Sequence, residues 1–181
     1  RSELAEHAVT ARNAGLVCFS GLKLDKLRHL HGIVQRGRVE VILAGGSLAM
    51  ALRKAAGEIA GEDASIGAAG NDAYKDEKAY VPASAVEKAR QLLVDAEAKG
   101  IRVVLPVDFV ADDGTVVTDL GADQWQRDIG PETRALFDET AKAWAEATER
   151  KTAFHNGVMG QFENSTFAAG TEAIVATLKD L

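Results

Sequence analysis

Short apolar runs alternate with helical amphipathic patterns along this chain, and that alternation limits it to few folds. Leu16–Phe19, Val39–Leu43, Ile101–Leu105 and Thr152–Phe154 are strand-length and apolar, and each is followed by a loop carrying Gly, Pro or a polar residue. Most of these loops lead into a helix. Strand, loop and helix in repeated order is the pattern of βαβ units, so an α/β domain with a mainly parallel sheet is expected.

The helices announce their ends. Ser47 is placed to cap a helix in which Leu48, Ala51, Leu52 and Ala55 recur at helical spacing before Gly57. Ser84 and Glu87 form an S-x-x-E capping box for a helix with Val86, Ala89 and Leu93 on one face, ended by Gly100. Gly130-Pro131 opens another, whose Leu136, Phe137, Thr140, Ala141 and Trp144 form a stripe suited to burial. A last helix is expected from about Ser165 to Lys179. Two stretches break the pattern. Glu58 to Val81, rich in Gly, Ala, Asp and Lys, reads as an exposed excursion. Asp112 to Asp128, with Asp-Asp-Gly and a β-branched run at Thr115–Thr118, reads as a small hairpin or lid-like loop.

A chain of 181 residues, 46% of them hydrophobic, can bury one core without staples, and neither a repeat nor a linker divides it. The single cysteine, Cys18, excludes an internal disulfide and fits a reducing compartment such as cytosol or organelle matrix. A formal charge of −6, with no basic run, argues against a nucleic-acid partner. No apolar stretch approaches the roughly 18 to 20 residues that span a bilayer, so a soluble protein is expected. The first residue is Arg1 rather than Met, as expected of a processed or partial polypeptide.

Ligands of open α/β sheets bind beyond the carboxyl ends of the strands, and the chemically suggestive residues all lie there. Ser20-Gly21-Leu22-Lys23-Leu24-Asp25-Lys26 follows the first strand, Ala44-Gly45-Gly46-Ser47 the second and Pro106-Val107-Asp108 the third. After the fourth comes His155-Asn156-Gly157-Val158-Met159-Gly160-Gln161-Phe162-Glu163, where two glycines let backbone approach a ligand closely. Plainer readings of the same residues stand beside this one. Lys23 and Lys26 can be solvated surface charges, Gly45-Gly46 a turn into a helix, and Glu163 a carboxylate opposing a helix dipole. Asp108 and Asp128 suit turns or caps, His155 and Met159 neighbour the loop, Trp125 and Trp144 suit packing, and His29 and His31 point to opposite sides of a helix, which argues against a metal site.

Five segments, in order, resemble the C-terminal, nucleotide-binding half of phosphoglycerate kinase from about Leu16 onward. The first loop is similar to the family's Gly-Gly-Ala-Lys-Val-x-Asp-Lys, and Ile42–Ala55 to its Gly-Gly-Gly-x-Ala turn. Leu105-Pro106-Val107-Asp108-Phe109-Val110 and Asp128-Ile129-Gly130-Pro131-Glu132-Thr133 match closely, and His155-Asn156-Gly157-Val158 stands where the family has Trp-Asn-Gly-Pro. The resemblance implies a Rossmann-like three-layer α/β/α domain over residues 1–181 and an ADP or ATP site.

By the same resemblance Lys23 would act on the transferred phosphoryl group and Lys26 on the nucleotide phosphates. Gly45, Gly46 and Leu105 would border the adenine slot. Asn156, with Gly157 and Gly160 shaping the loop, would sit near the phosphates, and Glu163 would accept bonds from the ribose. The family's N-terminal phosphoglycerate-binding half, and its Gly-Gly-Gly-Asp-Thr phosphate loop with the magnesium aspartate, have no counterpart in these 181 residues. The resemblance therefore implies a domain that is catalytically incomplete alone, with Mg²⁺ arriving only on a nucleotide. A protein partner would supply the missing half or cover an open sheet edge. The alternative is a non-catalytic scaffold or accessory subunit of a larger assembly.

Overall fold

The computed structural model describes residues 13–21, 23–149, 152–161 and 163–181; Leu22 and Phe162 of the motifs, and residues 1–12 of the expected domain, lie outside the described residues. Among the described residues four parallel strands form the main sheet: β1 (Leu16–Phe19), β2 (Val41–Ala44), β3 (Arg102–Val104) and β7 (Ala153–Asn156), in the order β3-β2-β1-β7. Leu16 pairs with both Val41 and Ala153, and Phe19 with both Ala44 and Asn156, so three strands finish level with one another. This common finish gathers their loops.

Five α-helices cover the sheet among the described residues. They are α1 (Lys26–Arg36), α2 (Gly46–Ala60), α3 (Ala83–Ala98), α4 (Pro131–Ala147) and α5 (Ala169–Lys179). Alternation along β1 and β2 assigns them to faces. Val17, Phe19, Ile42 and Ala44 pack with Leu27 and Leu30 of α1, Leu48 and Leu52 of α2, and Ala89 and Leu92 of α3. Leu16, Cys18, Val41 and Leu43 pack with Phe137, Ala141 and Trp144 of α4 and Ile174 of α5. The result is the expected three-layer α/β/α arrangement, in which both faces of a mostly parallel sheet are buried.

The second strand and the last two differ from expectation in detail. Observed β2 begins at Val41 rather than Val39, β3 ends at Val104 and β7 reaches Asn156. The Asp112–Asp128 stretch belongs to a separate antiparallel sheet of three strands, β4 (Phe109–Ala111), β5 (Val116–Val117) and β6 (Gln126–Ile129), in the order β5-β4-β6. Its centre, Phe109, is fully buried, so this sheet is fixed to the core rather than free to act as a lid.

Helix caps also depart from the sequence pattern. The N-cap of α2 is Gly45 and that of α3 is Pro82, neither with a side-chain capping bond, so Ser47 and Ser84 lie inside their helices. Helix α2 runs through Gly57, which packs against Ala64, to the left-handed Gly61. Asp108 does cap from a distance: its carboxylate accepts from the amides of Glu132 (3.0 Å) and Thr133 (2.8 Å) at the start of α4. Asp128 accepts from Gly170 N (2.9 Å) in the first turn of α5, and burial pushes its carboxyl group above the usual carboxylate range. In place of a helix from Ser165, a short 3-10 turn at Ser165–Phe167 precedes α5.

The Glu58–Val81 stretch is only partly the exposed excursion expected. Ile66, Ala68 and Ala69 are buried, and two 3-10 turns, Gly67–Gly70 and Asp72–Tyr74, hold its path. Ala68 N donates to Gln124 O and Val81 N to Ala69 O, which fastens the segment beside β6.

Candidate functional site

Beyond the ends of β1 and β7 the chain makes a polar junction. Lys26, the first residue of α1, donates through Nζ to Ser20 O (3.1 Å) and to Asn156 Oδ1 (2.8 Å). Ser20 N donates to Asn156 O (2.9 Å), and Ser20 Oγ donates to Val158 O (2.6 Å). Gly157 has φ +90° and lies so close to Ser20 O that a Cβ would collide with it, with Lys26 Nζ 3.1 Å from the same position. Glycine here is required both by conformation and by space.

The Lys26 ammonium is held below the ordinary lysine range, first by burial and then by the positive charge of Lys23, with Asp25 opposing. Lys23 itself is exposed. Two cations stand near one another with only part of their charge answered by protein, an arrangement that favours an anion between or above them.

The N-terminus of α2 adjoins this junction. Gly46 has φ +66°, and a Cβ on it would lie 2.8 Å from Gly21 N and 2.9 Å from Gly21 O, so the glycine lets helix and loop meet. Leu48 N donates to Gly21 O and Ala49 N to Gly45 O, whereas the amides of Gly46 and Ser47 reach no acceptor among the described residues. Free amides and the positive end of the dipole make this turn receptive to a phosphate-like group.

From here a cleft of about 270 Å³ runs toward the antiparallel sheet. Gly21, Gly46 and Ser47 line one end; Met50, Met159 and Gly160 form its floor; Trp125, Arg127, Ala69 and Ala79 line the other, with Glu163 exposed at the rim. The size is a little below the roughly 300–1,000 Å³ common for small-molecule sites, and the cleft is open to solvent. Mostly apolar walls with a few polar groups suit a flat ring attached to a charged tail.

The expected site residues therefore divide. Gly46, Gly160 and Glu163 line the cleft, and Lys26, Asn156 and Gly157 form the junction at its end. Lys23 stands near Lys26 as a charge. Two residues are placed elsewhere. Gly45 is buried where a Cβ would strike Met159 Sδ, so it serves packing, and Leu105 follows β3 and packs against the core rather than lining the cleft. Trp125, expected as a packing residue, does line the cleft, as do Arg127, Ala69 and Ala79. Their contribution was hidden because they come from the two stretches outside the βαβ pattern. His155 lies beside the junction with a buried Nε2 that has no hydrogen-bond partner among the described residues; burial pushes its imidazole below the usual range, a bond to the Gly157 backbone opposes this, and Lys26's charge adds to it.

A phosphoglycerate kinase family model matches residues 3–181. The chain belongs to the phosphoglycerate kinase family. It is 32% identical over 166 residues to phosphoglycerate kinase of Pelotomaculum thermopropionicum, covering 87% of this chain and 36% of that protein. It is also 32% identical over 163 residues to phosphoglycerate kinase of Elusimicrobium minutum, covering 85% and 35%. The chain thus spans about a third of the length of these relatives. Its fold is similar to the solved phosphoglycerate kinase of Coxiella burnetii with a TM-score of 0.73 at 23% identity, over 98% of this chain and 44% of the other. No described helix is long and apolar enough to cross a membrane.

Proposed function

We propose that this chain is the nucleotide-binding part of a phosphoglycerate kinase-type phosphotransferase, holding ADP or ATP in the cleft. The observation that carries this reading is the junction of Lys26 with Asn156 beside the free amides of Gly46 and Ser47. Three sources of positive potential, the Lys26 ammonium, Lys23 and the α2 N-terminus, converge where the phosphate tail would lie. The base and ribose would extend along the cleft past Gly160, with Glu163 at the rim accepting from ribose hydroxyls.

Phosphoryl transfer depends on positioning and on stabilising charge at the moving group. Lys26, fixed by two acceptors, is the positioning cation; Lys23, exposed and less constrained, is free to follow the phosphoryl group. In this reading Mg²⁺ would arrive on the nucleotide's own phosphates. Exchange between ADP/ATP and 1,3-bisphosphoglycerate/3-phosphoglycerate would need an acceptor site opposite the cleft, contributed by the rest of a longer protein or by a partner.

Calorimetric titration with ADP, with and without Mg²⁺, tests the reading. Binding by the wild type, lost in Lys26→Ala and weakened in Glu163→Ala, supports it; absence of heat at millimolar nucleotide, ADP or another, overturns it. A second reading, a non-catalytic scaffold within a larger assembly, is favoured by β7, which pairs with β1 on one side and with no strand on the other among the described residues. An open strand edge invites pairing by another chain.

A further inference from the structure

Arg127 is the cation of the cleft that the phosphate site does not use. Its side chain lines the cleft half-buried, with Cζ 5.8 Å from the centroid of the Trp125 ring, and its guanidinium makes no hydrogen bond or ion pair among the described residues. Trp125 is itself held: its amide donates to Asp112 Oδ1 (3.0 Å), and its ring meets Tyr74 edge-on at 5.5 Å and 73°. Aromatic support fixes the guanidinium plane while leaving its N–H donors unspent.

The loop from Gly157 to Gly160 sets which part of a nucleotide meets this arginine. Gly157 abuts Lys26 Nζ, while Gly160 abuts Arg127 O, to which Gln161 N donates (2.9 Å). The loop therefore crosses from the ammonium end to the arginine end. A phosphate tail taken by Lys26 and the α2 N-terminus leaves the base beside Trp125 and Arg127.

We propose that Arg127 selects the base, and that the cleft prefers 6-oxopurine nucleotides, guanine above all, to adenine. The proposal rests on the nucleotide reading given above and adds base identity to it. A guanidinium fork presents parallel donors. Guanine and hypoxanthine offer the paired acceptors O6 and N7, whereas adenine offers N7 beside the N6 amino group, itself a donor facing donors. A half-buried arginine left against an amino group forfeits a bond and gains a repulsion, and a site built to bond one edge rejects the other strongly.

Calorimetry on the same chain with GDP, IDP and ADP tests this. GDP and IDP are expected to bind at least about tenfold more tightly than ADP, in line with the worth of a bidentate arginine–guanine pair. R127M should bring the GDP/ADP ratio close to one, R127K should lower it without the fork, and circular dichroism should show both variants folded. K26A should weaken all three nucleotides together and keep the ratio. ADP bound as tightly as GDP, a ratio that survives R127M, or equal weakening of GDP and ADP by R127M would overturn base selection while nucleotide binding stood. Absence of binding by all three would overturn both.

Discussion

Lys26 Nζ donates to Asn156 Oδ1 across 2.8 Å, tying the start of α1 to the end of β7 over 130 positions of chain. A charged donor on a neutral amide is worth more than a neutral pair, about 1.5–3 kcal/mol where water is kept out. At this half-buried site about 1 kcal/mol of coupling is expected. A double-mutant cycle of Lys26→Met and Asn156→Ala, read by urea unfolding, should return that figure. Asn156→Ala should also weaken ADP about tenfold by leaving the ammonium held by Ser20 O alone, measured calorimetrically.

Two glycines should respond oppositely to the same substitution. Gly46→Ala forces a left-handed residue to carry a Cβ into the Gly21 backbone, and a loss of about 2 kcal/mol or more is expected, with nucleotide binding lost as the loop is displaced. Gly32 lies inside α1 with nothing within 4 Å of a new Cβ. Gly32→Ala should stabilise by about 1 kcal/mol. Thermal unfolding of both variants checks the pair.

Asp108 serves α4 from outside the helix. Its Oδ1 accepts from Thr133 N (2.8 Å) and Thr133 Oγ1 (2.6 Å), and its Oδ2 from Glu132 N (3.0 Å). Asp108→Ala would strand these buried donors at the positive end of the helix, and a cost of about 2–3 kcal/mol is expected. Asp108→Asn, which keeps one acceptor, should recover part of it in urea titrations.

His155 should make stability sensitive to mild acid. Its folded-state affinity for a proton is depressed below the ordinary value of 6.5, chiefly by burial. Well above pH 6.5 the imidazole is neutral in both states and costs nothing. As the pH falls below 6.5 the unfolded chain takes up a proton that the folded one resists, so stability is lost progressively toward the folded-state value. The urea midpoint should drop between pH 7.5 and pH 5.5, and the drop should shrink in His155→Gln. An equal drop in that variant would remove His155 from the explanation.

The apolar runs at Leu16–Phe19 and Val39–Leu43 were legible because a strand buried on both faces must be continuously apolar or nearly so, as β1 and β2 are, whereas half-buried β7 was read only over Thr152–Phe154 and runs on into the polar pair His155 and Asn156. Helix α4 was legible because Gly130-Pro131 and the Phe137–Ala141–Trp144 stripe are local signals. Caps were less so. Ser47 and Ser84 carry the right side chain, but Gly45 and Pro82 take the N-cap positions, and Asp108 reaches α4 from 24 residues upstream of Glu132. A capping partner supplied from another element leaves no fixed spacing to read.

The order of strands and helices, the burial of both sheet faces and the glycine-bearing loops beyond the strand ends follow from residue pattern alone, since each depends on neighbours within a few positions. Which residues share the cleft was decided by the tertiary structure. Arg127 reaches it on a strand of the second sheet and Trp125 just before that strand, Ala69 and Ala79 on an irregular segment fastened by backbone bonds, while Gly45 and Leu105 are drawn into packing. Contacts between segments far apart in the chain are set by how the layers close around the core, and no local pattern encodes that distance.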